Sequence, residues 1–467
     1  MPQSVCYENL IYGGMKNKMN KVFFIGINGI GMSALAKYMK TKGYDVYGSD
    51  IVEKNTTEVM RNMGIKIYSE HKAENVVGMD TVIYTTAIKA DNKEYNYAKD
   101  NNIKIYKRGE LLAKLMNEET GIAVAGTHGK TTTSSMIGIS MLEKDATIVV
   151  GGIITEINSN ARIGNSNYFI AEADESDNSF LYMKPKYSII TNIEEDHMDF
   201  HKNYDNLKQS FKKFIENTLI KVIVNKDCET LYNISKEYKH VIYYSLYDKT
   251  ADIYVDNMEK NESGEMSYTV VKNGENLGSF SLAIPGLHNI SNSLGVIYLS
   301  HEFSVDLENL KNKLTHFKGA KRRFDILHNE GITIVDDYAH HPTEIKATLQ
   351  AAKERAKNRV IAVFQPHRYS RLSFLIEDFS KSFTNADEVI LLPVYSAGEE
   401  NCYNIKSENL LKKICNYKAA CCINDEHELQ NIIIEKSNPG DIYVFMGAGN
   451  ISQMAYKIAE KYKKNIE

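Results

Sequence analysis

Between residues 121 and 135 the chain reads Gly-Ile-Ala-Val-Ala-Gly-Thr-His-Gly-Lys-Thr-Thr-Thr-Ser-Ser, an apolar run that stops at a glycine-flanked loop and continues as a hydroxyl-rich helix start. Such residue types hold phosphate. Ile122 to Ala125 suit a short buried strand, and Thr131 to Leu142 predict a helix whose first turn aims free backbone N–H groups at an anion. Lys130 adds a positive charge, and the hydroxyl of Thr131 is what a magnesium ion bridging two phosphates takes as a protein ligand. Gly126 and Gly129 are separated only by Thr127 and His128, where the usual phosphate-loop pattern has four residues. The stretch is thus a shortened phosphate loop or a glycine turn with a solvated lysine. Strand before, helix after and threonines at 131, 132 and 133 favour the loop.

Two later apolar runs end in acid. Residues 168–171 lead to Glu172-Ala173-Asp174-Glu175-Ser176-Asp177, and residues 187–191 lead to Glu194-Glu195-Asp196-His197-Met198-Asp199. Acid clusters are commonly solvated faces or helix N-terminal charges. At strand C-termini behind a phosphate loop they lie instead where ligands of doubly wound sheets gather and where magnesium finds oxygen. Upstream, Gly26-Ile27-Asn28-Gly29-Ile30-Gly31 and the acid Asp50 nearly reproduce a dinucleotide fingerprint, with Asn28 in place of the second glycine. That pattern fits a nicotinamide dinucleotide, a UDP-linked ligand or a ligand-free glycine turn, and a side chain at 28 obstructs the close approach a pyrophosphate needs. Toward the C-terminus, Asp336-Asp337-Tyr338-Ala339-His340-His341 follow a strand end, and Arg368 and Arg371 are three apart in His-Arg-Tyr-Ser-Arg. On a helical turn both guanidinium forks share one face and suit a carboxylate; the plainer reading is an exposed basic turn.

The elements that position these groups alternate as strand and helix. Strands at Lys21 to Ile27, Tyr44 to Tyr47, Ile65 to Tyr68, Thr81 to Ala87 and Ile103 to Tyr106 predict a parallel sheet closing near residue 118, and Met32 to Lys42 reads as its first helix. Short alternating runs from Ala251 to Ile284, with turns at Asn273-Gly274 and Leu277-Gly278, predict a β-hairpin insertion. Pro285-Gly286-Leu287-His288-Asn289-Ile290-Ser291-Asn292 opens a helix. Further strands at Ile332 to Val335 and Tyr443 to Met446, and a helix over about residues 342–357 with Lys353, Arg355 and Lys357 at its negative end, make a third α/β unit.

At 467 residues, 43% of them apolar, the chain has room for three domains: 1–118, with 1–18 a loose extension; 119–321; and 322–467. A net charge of -4 gives no reason to expect nucleic acid or an anionic membrane, and no apolar run reaches about 18 residues. Six cysteines without a Cys-x-x-Cys pair point to reduced thiols in a cytoplasmic protein.

The motifs together resemble the Mur ligases, the ATP-dependent amide-forming enzymes of peptidoglycan precursor synthesis. Resemblance runs over about residues 20–465 and includes the shortened phosphate loop, Glu-Ala-Asp-Glu-Ser-Asp, Glu-Asp-His-Met-Asp and Asp-Asp-Tyr-Ala-His-His-Pro, in the family's order. It implies a Rossmann-like UDP-binding domain, a central P-loop ATPase-like domain carrying the hairpin, and a Rossmann-like C-terminal domain. The implied reaction joins L-alanine to the lactoyl carboxylate of UDP-N-acetylmuramate, with ATP and Mg2+, through an acyl phosphate. By resemblance, Gly29, Gly31, Asp50, Thr86 and Ala87 hold the UDP substrate. Gly126, Thr127, His128, Gly129, Lys130, Thr131 and Thr132 hold ATP phosphates. His288, Asn289 and Asn292 lie at the adenine, Arg323 and Asp337 bind ATP from the third domain, and Thr131, Glu172 and His197 hold the metal. Lys130, His197 and Arg323 are the expected catalytic groups, and Tyr338, His340, Arg368 and Arg371 the L-alanine site. The expected partners are small molecules, with neither nucleic acid nor membrane insertion, and the expected state is a monomer or weak homodimer. A ligase that attaches a tripeptide to the same nucleotide, an NAD-dependent oxidoreductase and a non-enzymatic nucleotide switch are the alternatives.

Overall fold

The computed structural model describes residues 20–85, 88–89, 91–260, 266–414 and 418–466. Its described strands form three sheets, each fed by βαβ crossovers. In the first, β1 (Lys21–Ile25), β2 (Asp45–Ser49), β3 (Lys66–Tyr68), β4 (Thr81–Tyr84) and β5 (Lys104–Lys107) lie in the order 3-2-1-4-5, all parallel. Val22 to Ile25 are fully buried, as a central parallel strand covered on both faces must be.

The central sheet has ten strands: β6 (Thr120–Ala125), β7 (Thr147–Ile154), β8 (Ser159–Arg162), β9 (Tyr168–Glu172), β10 (Tyr187–Ile190), β11 (Lys221–Asn225), β12 (Val241–Ser245), β13 (Ile253–Lys260), β14 (Met266–Lys272) and β15 (Glu275–Ser281). Their order is 15-14-13-12-11-10-6-9-7-8, which puts β6 between the two strands that end in acid. The expected hairpin insertion is a three-stranded meander: β13 pairs parallel with β12, and only then do β14 and β15 turn back antiparallel. Asn273 and Gly274, with φ of 49° and 84°, make the tight turn that was expected. Leu277-Gly278 does not turn. Val270 faces Gly278 and Val271 faces Asn276, so Leu277 is the extra residue of a bulge, and its side chain is buried in the core.

The third sheet comprises β16 (Asp325–Glu330), β17 (Ile332–Asp337), β18 (Val360–Phe364), β19 (Glu388–Leu391), β20 (Ala419–Cys422) and β21 (Ile442–Met446), in the order 16-17-21-18-19-20 with only β16 antiparallel. The helix after β17 runs Pro342–Lys353, shorter than expected; Arg355 and Lys357 lie beyond its C-cap at Glu354, and Lys353 pairs with Asp387.

Packing divides the molecule unequally. One apolar core runs without a break from the first sheet (Val22, Phe24, Leu35, Met39) into the central domain (Phe169, Phe180, Phe211, Phe214), and Tyr38 meets Phe169 edge-on. The third domain keeps cores of its own, around Phe364 and Phe379 on one face and Phe445 and Ile451 on the other. Four of the six cysteines, Cys228, Cys402, Cys421 and Cys422, lie among the described residues, and Cys228 and Cys402 are free thiols. No described helix is long and apolar enough to cross a membrane.

Candidate active site

The phosphate loop joins β6 to the helix Lys130–Ser140. Two glycines are required there. Gly126 has φ +134°, and a Cβ on it would lie 2.0 Å from the Thr191 hydroxyl; Gly129, at φ +83°, starts the helix, and a Cβ there would meet Asn292 Nδ2 at 2.8 Å. Residues just after β10 clamp the loop: Thr127 N–H donates to the Asn192 carbonyl at 3.1 Å and His128 N–H to Asn192 Oδ1 at 2.9 Å. The Thr191 hydroxyl and Asn192 Nδ2 both donate to the His128 carbonyl.

Lys130 is not a solvated lysine. Its ammonium donates to the carbonyls of Gly126 and Thr127 and to both oxygens of Glu175, at 2.9 and 2.8 Å. Burial alone would lower its pKa, but Glu175, Asp174 and Glu172 outweigh that and hold it above the ordinary lysine value. Burial, with Asp174 adding to it, pushes the Glu175 carboxyl up to about 7 against the pull of Lys130.

Across the same cleft Glu172 ends β9. Its Oε1 accepts from Gly151 N–H at 2.6 Å and from the Ser134 hydroxyl at 3.3 Å. Gly151 and Gly152 keep the space open: a Cβ on the first would sit 2.8 Å from Glu172 Oε2, and on the second 2.8 Å from Thr131 Cγ2. A hydroxyl and a carboxylate beside a cradle that one methyl would fill suit a hard cation. His197 faces that cleft from a left-handed backbone, φ 57°, and burial lowers its pKa toward the neutral form in which an imidazole ligates.

The third domain closes over these groups. Arg323 lies 3.8 Å from Glu344 and over the Tyr338 ring. Asp337 accepts from Phe324 N–H at 2.8 Å and Ala339 N–H at 2.7 Å, and burial pushes its carboxyl up to about 6. Burial likewise lowers His340 to about 4, so its neutral ring donates from Nδ1 to the Tyr338 carbonyl at 2.8 Å. Arg371 reaches back to the central domain. Its guanidinium bonds Asp196 at 3.2 and 3.3 Å, and although burial would raise the Asp196 pKa, Arg371 and the neighbouring histidines hold it well below the carboxylate range. Arg368 does not share a helical face with it: Arg368 is the N-cap of the helix Tyr369–Phe374, with φ 70°, and stands 3.7 Å from Glu399. His197, Arg322, Phe324 and Arg368 all carry positive φ, and such strain gathers at functional sites.

Three cavities stand in a row and share walls. The first, about 340 Å³, is lined by Thr132, His288, Asn289, Asn292 and Asp337, and it adds Asn225, Asp227 and Tyr247, which sequence reasoning missed. Through His128, Gly129, Arg323 and Glu344 it meets a second, about 540 Å³, lined by Thr127, Lys130, Thr131, Glu172, His197, Tyr338 and His340. Ile30, Gly151, Glu172 and Asp174 join that to a third, about 320 Å³, lined by Gly29, Gly31, Thr85 and Arg108. A pocket of about 30 Å³ holding Arg368 and Arg371 opens beside Asp196 and His197.

Asp50 and Asn28 both serve the glycine turn. Asp50 lines none of these cavities; its carboxylate accepts from the backbone N–H of Asn28 at 2.9 Å and of Val52 at 3.0 Å and so shapes the glycine turn. Asn28 is buried and donates from Nδ2 to the Val52 carbonyl, so its side chain does not line the cleft that the glycines border. Thr86 and Ala87 lie outside the described residues. Glu175 and Asn192 were also missed. Glu175 sat unassigned within an acid string, whereas nothing local marked Asn192.

A three-domain α/β fold whose phosphate loop faces a cleft closed by the last domain is the architecture of an ATP-dependent amide-forming ligase, and the chain belongs to the Mur ligase family. Models of the Mur ligase family catalytic domain, the Mur ligase middle domain and the Mur ligase glutamate ligase domain match residues 21–120, 124–300 and 322–449. The chain is similar to the UDP-N-acetylmuramate--L-alanine ligase of Fusobacterium nucleatum, 53% identical over 466 residues, 97% of this chain and 99% of that protein. Against the enzyme of the same name from Caldanaerobacter subterraneus, identity is 40% over 96% of this chain and 99% of that protein. The crystal structure of UDP-N-acetylmuramate-alanine ligase MurC from Thermotoga maritima superposes with a TM-score of 0.80 at 31% identity, covering 95% of this chain and 99% of that one.

Proposed function

We propose that this protein joins L-alanine to the lactoyl carboxylate of UDP-N-acetylmuramate with ATP, releasing ADP and phosphate. The observation that carries this is the row of cavities sharing walls, with the phosphate loop in the middle one. A nucleotide in the first and a UDP-linked acid in the third would bring a γ-phosphate and a carboxylate together at Lys130.

Loss of a carboxylate oxygen is the uphill part of making an amide, and phosphorylation turns that oxygen into a leaving group. The lactoyl carboxylate attacks the γ-phosphate, the amine of L-alanine attacks the acyl phosphate, and phosphate departs. Charge grows on the phosphoryl oxygens in the first step, and Lys130 with the N–H groups at the start of Lys130–Ser140 is positioned to stabilise it. Thr131, Glu172 and His197 would hold Mg2+, which neutralises the same charge when bound. Neutral His340 and Tyr338 border the cleft where the amine must arrive, and Arg371 would take the amino acid's carboxylate, in place of Asp196.

The test incubates purified protein with ATP, magnesium and UDP-N-acetylmuramate, with and without L-alanine. ADP should form in step with a new UDP-linked product only when L-alanine is present. Equal ADP release without it, or use of a tripeptide but not L-alanine, would overturn the reading. The oxidoreductase alternative leaves the middle cavity without a role.

A further inference from the structure

Two histidines and a glutamate, none of them among the magnesium-type ligands Thr131, Glu172 and His197, meet where the phosphate loop faces the third domain. The geometry points to a second metal site there, made by His128, Glu194 and His341 and suited to a zinc-like transition ion. One ligand atom from each lies within 4.8 Å of the other two. Glu194 Oε2 is 3.5 Å from His128 Nε2 and 3.8 Å from His341 Nδ1, close to the roughly 3.3 Å edge of a tetrahedron whose metal bonds are about 2.0–2.1 Å.

The outer contacts of both rings favour the ligating tautomers. His128 Nδ1 is 3.1 Å from Glu344 Oε1 and His341 Nε2 is 3.3 Å from the Glu195 carbonyl, so each ring can donate outward and turn its other nitrogen toward Glu194. Metal-bound histidines are held in this way. His128 Nε2 is buried with only the 3.5 Å contact to Glu194, and although burial would lower its pKa, the carboxylates of Glu344 and Glu194 raise it to about 9, so an ion binding there takes the place of a proton between Nε2 and Glu194. His341 Nδ1 has only a long contact, 3.4 Å, from Thr343 N–H, and Glu194 Oε2 accepts from the Thr343 hydroxyl. A surface cleft of about 360 Å³ bordered by Glu194, His341 and Thr343 supplies an entry path. Two imidazoles and one carboxylate with an open position match zinc better than magnesium, which demands oxygen. An ion there would tie the phosphate loop to the third domain.

Full-length protein stripped with a chelator is dialysed against Zn2+ without nucleotide, and bound metal is counted. Wild type should hold zinc at a site whose affinity falls at least tenfold in His341→Asn, a change that keeps a good helix cap, while Glu172→Ala retains it. Co2+ should give the intense visible absorption of a low-coordinate site in wild type and lose it in His341→Asn. If circular dichroism shows that variant unfolded, Glu194→Gln takes its place with the same expectation. Absence of zinc in wild type, unchanged affinity in the folded ligand variant, or loss of the zinc in Glu172→Ala would each overturn the proposal.

Discussion

Lys130 would combine its proposed part in phosphoryl transfer with a structural role in one ammonium. Glu175 is 1% exposed, and truncating one partner of a buried pair costs about 3–5 kcal/mol, part of which a carboxyl near its own pKa sheds by taking up a proton. Lys130→Ala should therefore lower the melting temperature as well as cut kcat by about 10²–10³-fold or more. Lys130→Ala/Glu175→Gln should recover most of the stability and none of the activity; recovery of both would remove Lys130 from the reaction. Glu172 tests the metal assignment. EDTA should stop turnover, and Glu172→Ala should raise the magnesium concentration needed for half-maximal rate while sparing metal-free nucleotide binding, and magnesium-independent turnover would defeat it. Asp337 gives a pH signature in the first cavity, the proposed ATP site. Its folded pKa of about 6 lies above the roughly 3.9 of an unfolded aspartate, so the folded chain holds the extra proton between those values. The sign follows: its contribution to stability falls as pH rises from about 4 to 6, while the ionised form that the proposed ATP contact would use is lost as pH falls below 6. The apparent KM for ATP should rise below pH 6 in wild type more steeply than in Asp337→Asn, and parallel profiles would refute the role.

At the scale of elements, the strand, glycine loop and helix of residues 120–140 were legible because each is a local pattern: an apolar run, positive-φ glycines and an N-terminal hydroxyl run. The same locality explains what was not legible. Asp196 and Arg371 are 175 residues apart and His128 and Glu344 216 apart, so only the packing of two domains brings them together. Alternation in 251–281 announced strands but could not say that β13 pairs parallel with β12, nor that Leu277-Gly278 makes a bulge rather than a turn. The spacing of Arg368 and Arg371 suggested one helical face; positive φ at Arg368 starts the helix one residue too late for that. Glycine positions make the loop claim testable. Gly126→Ala forces a side chain into φ +134° and into the Thr191 hydroxyl, so ATP binding and several degrees of melting temperature should be lost together. Gly274→Ala, at φ +84° with nothing within 4 Å, should cost only about 1–2 kcal/mol and leave kcat unchanged. Equal effects from the two substitutions would mean that the loop tolerates a side chain at 126.

Across the whole molecule, the first and central domains are one body because an apolar core passes between them, whereas the third is held by polar contacts. Among the described residues those contacts include Arg371 on Asp196, His128 on Glu344, Thr343 on Glu194, His341 on the Glu195 carbonyl, and Arg355 on the Ala283 carbonyl. Polar interfaces within a chain permit domain motion, and the linker before β16 has positive φ at Gly319, Arg322 and Phe324, where a hinge would turn. On the proposed assignment ATP enters the first cavity and product leaves the second, both walled by Arg323 and Glu344 of the third domain, so closure and opening would belong to every cycle. Asp196→Asn removes the carboxylate that Arg371 grips without touching the phosphate loop. In substrate-free solution, small-angle scattering should report a larger radius of gyration for this variant than for wild type, and a non-hydrolysable ATP analogue should compact wild type more. The apparent KM for ATP and for L-alanine should rise, since both sites need the third domain in place. That for UDP-N-acetylmuramate should not, because the cavity proposed for it lies between the two domains that share a core. Identical scattering from the two proteins, or an equal rise in all three KM values, would show that the Asp196–Arg371 contact does not govern closure.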